Sequence, residues 1–237
     1  MTTIVHKANT RGHADHGWLN SYHSFSFANY YNPDRVHFGM LRVLNDDTVA
    51  AGMGFGAHPH DNMEIISIPL EGDLQHKDSM GTEQVIRHGD VQVMSAGSGI
   101  THSEMNANKD KAVKFLQIWV IPKVDNVVPR YGQVTLHAED RKNKLQQIIS
   151  PEENATNLWI HQDAWFHMGN FDKGQKADYT IKKKGNGLYA FILEGDFTIN
   201  GEKLNRRDGM GISDTDKVSI EASSDKAEIL LMEIPMA

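Results

Sequence analysis

What most constrains this chain is a missing pattern: no long stretch keeps its apolar residues at the three-to-four-residue spacing of a helix. They fall instead into short runs rich in Val, Ile, Leu and aromatics, such as VQVMSAG, VKFLQIWVIP, LYAFILEGDFTING, KVSIEA and AEILLMEIP. Turn formers separate the runs: EGD, RHGD, SAGSG, NGEK and RRDGMG. Asn200-Gly201, directly after DFTI, is a two-residue hairpin signal. The best helix signal is weak: Ser150-Pro151-Glu152-Glu153, a capping pattern with Pro at the first helical position. Many short strands with regular turns predict an all-β sandwich or barrel.

The strands carry a faint repeat. IPLEGDLQHKD (68–78) has a counterpart in FILEGDFTING (191–201). Each is followed by a turn with Asp and Gly, His88-Gly89-Asp90 and Arg207-Asp208-Gly209. Each half then ends in an apolar strand closing on Ile-Pro, at Ile121-Pro122 and Ile234-Pro235. The chain therefore reads as two related β domains, 1–132 and 133–237. With 237 residues it is long enough for two modest cores.

Composition removes several classes of chemistry. There is no Cys, hence no disulfide framework, thiol nucleophile, zinc ribbon or iron–sulfur cluster, and any metal must sit on nitrogen and oxygen. The net charge of −7 argues against general nucleic-acid binding or a polybasic membrane surface. MTTIVHKANTRGHAD lacks a signal-peptide core, and the longest apolar run, about FLQIWVIP, is too short to span a bilayer. A cytoplasmic protein that makes no direct contact with nucleic acid or membrane is expected.

Histidine is where the chemistry concentrates. Of 13 His, those at 6, 13, 16, 23, 37 and 76 share no spacing. In GAHPHDNMEII, however, His58 and His60 are i and i+2. On a strand such residues share a face, roughly 6.6 Å apart along it. GITHSEMN repeats the arrangement with His102 and Glu104. If the two strands are neighbours or facing walls, all four side chains converge on one centre. Three imidazoles and a carboxylate suit Fe(II), Mn(II), Ni(II) or Zn(II) and leave positions open for substrate and O₂. Glu64 shares the parity of His58 and His60, so it competes with Glu104 for the ion or serves as an acceptor behind an imidazole. Trp18, Phe25, Phe27, Tyr30 and Tyr31 form an aromatic segment that reads first as core and second as the lining of a pocket for a flat substrate.

These motifs resemble the cupin family. Gly52, His58, His60 and Glu64 match its first motif, with Gly72 one residue late. In the second, Ser95 stands for the usual Pro and His102 comes two residues late, followed by Glu104. RGHADHGWLNSYHSFSFANYYNP (11–33), AHPH…E…LEG and SAGSGITHSE together are similar to pirin and the bacterial pirin-like proteins, densely over 11–122 and thinly after. The resemblance implies a bicupin: two antiparallel β-barrel or jelly-roll domains packed together, the N-terminal one holding metal on His58, His60, His102 and Glu104. Position matching places the second half's equivalents of His58 and His60 at Ile181 and Lys183, and no His lies between 168 and 237. The second domain should therefore be metal-free.

The resemblance also implies a mononuclear metal-dependent dioxygenase of the quercetin 2,3-dioxygenase kind. It would cleave a flavonol or similar enolic aromatic with O₂, with Glu104 as the catalytic carboxylate. One divalent ion per chain is expected, Fe(II) first, with Mn, Ni, Co and Zn as alternatives. The partners are then a small aromatic substrate and O₂, and a monomer is expected because two fused lobes cover each other. The rival readings are a non-catalytic metal-binding regulatory or protein-interaction module of the pirin type, and an isomerase or hydrolase using the same ion.

Overall fold

The computed structural model describes residues 1–153 and 157–236. Its strands form two pairs of sheets. The first large sheet runs Arg130–Thr135, Asp90–Ser95, Glu64–Glu71, Val113–Val120, Leu41–Val49, Leu19–His23, Gly12–Asp15. Its small partner runs Gly54–His60, Ile100–Asn106, Leu74–Asp78, Glu83–Ile86. The second large sheet runs Thr2–His6, Gly209–Ser213, Asn186–Glu194, Ala227–Pro235, Trp165–Phe171, Gln146–Ser150, Leu158–Trp159. Its small partner runs Lys176–Thr180, Lys217–Ala222, Phe197–Ile199, Glu202–Leu204.

The two orders correspond rank by rank, so the repeat in the sequence is a repeat in space. LEGD falls in both halves where the third-ranked strand of the large sheet hands over to the third strand of the small one. Both Ile-Pro strands are the central, fourth-ranked strand. Edge pairing ties the units together: Thr2–His6 comes from the start of the chain yet pairs with Gly209–Ser213. It fills the rank that Arg130–Thr135 fills in the first sheet.

Each unit is an open jelly-roll-like sandwich; the sheets do not close into a barrel. The large sheets lie back to back. Leu44, Ile66, Leu116 and Ile118 of the first pack with Phe166, Leu193, Leu230 and Met232 of the second in one buried cluster. The opposite face of each large sheet covers its small sheet: Val49, Val113 and Phe115 meet Leu74 and Ile86 in the first unit. In the second, Leu188, Ile192 and Ile229 meet Val218 and Ile220. Strands between two apolar layers need apolar residues on both faces, which is why Asn186–Glu194 reads NGLYAFILE without alternation.

Two expectations need correction. The residues after Ser150 do not begin a helix over the described positions 151–153, and the rest of that signal lies outside the described residues. Ser150 is instead the end of a strand and pairs in parallel with Trp159, so ladder pairing overrides the local cap signal. In addition, the strand ranked with Gly54–His60 in the second unit is Lys176–Thr180, so position matching had pointed just beyond it, at 181 and 183. The connecting turns differ in length between the halves, which defeats counting from a distant Gly.

Candidate metal centre

Gly54–His60 and Ile100–Asn106 are antiparallel neighbours, and His102 stands directly across from His58. His60 pairs with Ile100, and a register shift separates His102 from Glu104. The strands approach so closely that a Cβ on Gly54 would fall 2.3 Å from the Glu104 carbonyl oxygen. Glycine is needed there for that reason. One ring nitrogen each of His58, His60 and His102 lies within 4.8 Å of the others. The ring centroids are 4.9 Å apart for His58–His60, 4.5 Å for His58–His102 and 5.0 Å for His60–His102.

Hydrogen bonds decide which nitrogens face the centre. The Gly56 carbonyl, 2.8 Å from His58 Nδ1, accepts from that nitrogen and leaves Nε2 with a lone pair. His102 is held by a relay. Asp78 Oδ2 accepts from His76 Nε2 at 2.9 Å, so His76 Nδ1 is the acceptor facing His102 Nδ1 at 3.5 Å. The Nε2 of His102 is then left buried without a partner among the described residues. A buried lone pair aimed at two further imidazoles is what a metal site requires of its ligands. Burial, with neighbouring imidazoles, lowers His60 to about 4 and His102 to about 2, so both stand ready in the neutral, ligating form.

Glu104 lies beside this triad, but its carboxylate is not in the group whose ligand atoms all fall within 4.8 Å of one another. Ser67 Oγ donates to its Oε1 at 2.9 Å, and Gln117 Nε2 donates to Oε2. Burial raises its carboxyl above the usual range, against the pull of those donors and of His76 and His58. Glu64 is elsewhere. A turn with Asn62 at φ 45° ends the strand after His60, and Glu64 opens the next strand in the large sheet. The parity count across 58–64 therefore joins residues of two different sheets. Glu64 accepts from Ser95 Oγ at 2.7 Å and meets His161 Nδ1 of the second half at 2.8 Å.

Beside the imidazoles opens a cavity of about 340 Å³, lined in part by Phe27, Phe55, Trp119, Asn45, Asp47 and Gln117. That volume is at the lower end of small-molecule sites. Of the aromatic segment only Phe27 reaches it. Phe25 is buried against Tyr189 in the inter-unit core, Trp18 packs on Phe55, and Tyr31 is exposed.

Sequence reasoning missed His76, Asp78, Ser67, Gln117 and Asp47. A signal existed for the first two, since His76-x-Asp78 in DLQHKD has the same i, i+2 spacing as the ligand pairs. Ser67 and Gln117 are single polar residues within apolar stretches and Asp47 lies in the polar run NDDT, and only register brings them to the site.

Comparison with known proteins places the chain. Residues 4–120 match the family described as Pirin, and residues 147–234 match the quercetinase C-terminal cupin domain. A protein named quercetin 2,3-dioxygenase from Escherichia coli K12 is 42% identical over 231 residues, 98% of each chain. A pirin-like protein from Caulobacter vibrioides is 40% identical over 223 residues, 94% of this chain and 95% of the relative. The crystal structure of the bacterial pirin YhhW from Escherichia coli in complex with nickel(II) aligns with a TM-score of 0.94 at 40% identity, covering 100% of both chains.

Proposed function

The chain belongs to the pirin family, and from that premise we propose that it is a mononuclear metal-dependent dioxygenase acting on a flavonol or a similar enolic aromatic. The observation that carries this reading is the orphaned Nε2 of His102, facing His58 and His60 beside a partly aromatic cavity. Relatives named quercetin 2,3-dioxygenase and a nickel-bound bacterial pirin support it. In this reading the metal-bearing domain is 1–132 and the metal-free one 133–237, with two exchanges across that division: Thr2–His6 pairs in the second unit's sheet, and Arg130–Thr135, which straddles the boundary, pairs in the first.

His58, His60 and His102 would hold one divalent ion, Fe(II) in our reading, with Glu104 as fourth ligand. Such an ion supplies Lewis acidity, which acidifies a bound enolic hydroxyl and orients O₂ against the ring. The chain's own groups do the rest. Glu104, its basicity raised by burial, accepts the hydroxyl proton, while Ser67 and Gln117 fix its two oxygens. Trp119, set edge-on to His60 with centroids 5.0 Å apart, lines the cavity and supplies an aromatic wall for a flat substrate. For a flavonol and one O₂, the products are a ring-opened ester and carbon monoxide.

The test is reconstitution with Fe, Mn, Ni or Co, followed by flavonol absorbance and O₂ uptake together. Turnover with matched O₂ consumption is expected. A filled site that stays silent with every metal supports the regulatory-module reading instead, and turnover without O₂ supports an isomerase or hydrolase.

A further inference from the structure

The cavity wall built by the large sheet carries polar atoms that the protein leaves unmatched. Asn45 Oδ1, His23 Nδ1 and Trp119 Nε1 are buried with no hydrogen-bond partner among the described residues, and all three residues line the cavity. A buried polar atom without a partner costs stability unless something supplies the bond. Register makes two of them a set, because His23 stands directly across from Asn45 on the neighbouring strand. Asp47 lies two residues beyond Asn45 on the same face and also lines the cavity. It is buried and accepts from Ser21 Oγ. Burial, with Asp46 and Glu104 nearby, raises its carboxyl to about 7, so near neutrality it meets a ligand as donor or acceptor. None of these residues is among the proposed metal ligands.

We propose that Asn45, His23 and Asp47 form a second recognition subsite, one that takes a phenolic hydroxyl of the substrate remote from the ion. The preferred ligand is then a flat aromatic with two separated hydroxyls: an enolic one at the imidazoles and a phenolic one at this wall. Asn45 Oδ1 accepts the phenolic proton. His23 and Asp47 satisfy the phenolic oxygen and are satisfied by it. The inference rests on the dioxygenase reading and sharpens its substrate class.

The experiment compares two probes on the nickel-loaded protein without O₂, by quenching of tryptophan fluorescence. One is 3-hydroxyflavone, whose only hydroxyl is the enolic one; the other is quercetin, which adds phenolic hydroxyls. Quercetin should bind at least tenfold more tightly, and the ratio should fall toward one in Asn45→Ala and in His23→Phe. Circular dichroism checks that each variant folds, and the wild-type comparison decides alone if neither does. Equal affinities in the wild type, or a ratio unmoved in the folded variants, overturn the subsite and leave the ion site standing. Failure of both probes to bind overturns the dioxygenase reading and the subsite with it.

Discussion

The two units share a strand order but line their interiors differently. Across the first large sheet, register places Gln92, Ser67, Gln117, Asn45 and His23 in one row on the face toward the small sheet. The same ranks in the second sheet carry a row of Met210, Ala190, Leu231, His167 and Gln147. Across the gap, the first unit's small sheet sets His58, His60, His102 and His76. The second unit's sets Val218, Ile220 and Ala222 into an apolar core. One framework thus yields a packed interior where the second to fourth ranks of the inward row are apolar and a polar cavity where they are not. The difference resides in a handful of inward positions, because the strand orders and the back-to-back packing are common to both.

The contrast breaks most completely at the imidazoles. His102→Ala should abolish stoichiometric metal binding, and catalysis with it, while circular dichroism stays unchanged. Metal analysis of the purified variant reads this directly, and a full complement of metal would refute the assignment. The second unit should react in the opposite sense. Leu231→Asn, a polar group placed in a dry core, should destabilise the protein by about 3 kcal/mol or more in urea unfolding while leaving metal content intact. His76→Phe should weaken metal binding about 10- to 100-fold, because it removes the acceptor that fixes the His102 tautomer. Competition with a chelator measures that loss.

Acidity acts on buried groups with opposite signs. Burial lowers His167 and His6 to about 4, against 6.5 when unfolded. Between those values the unfolded chain binds more protons, so stability should fall as pH drops from 6.5 to 4. Each group contributes up to about 1 kcal/mol per pH unit. His167→Leu should flatten the slope measured on the metal-free protein. Asp47 runs the other way. Its folded value of about 7 lies above the unfolded 3.8, so its contribution is fully present below 3.8 and is lost as pH rises through 7. Asp47→Asn should therefore change the melting temperature little below pH 3.8 and raise it progressively as pH climbs toward 7, by several degrees at pH 8, at a cost in ligand binding.

Much of this organisation was legible in the sequence because it rests on local rules. Period-two runs and Gly-rich turns specify strands, and two i, i+2 pairs specify a convergent site once the strands are neighbours. What was hidden depends on register. Nothing local shows that Asn45, Gln117 and Ser67 stand abreast, or that His76 lies beneath His102. Glu64 misled for a related reason: parity counts only within one strand, and Asn62, in the left-handed region, ends that strand first. The second unit carries no His in its small-sheet strands, as follows from the sequence, where none lies between 168 and 237. Its identity as a filled copy of the first emerges only from the paired strand orders.

The most direct test of the central claim is an anomalous-scattering map from crystals of the nickel-reconstituted protein. One peak per chain, between the ring nitrogens of His58, His60 and His102, is the expected result. A peak outside the first unit, or well-ordered imidazoles with no peak between them, would contradict it.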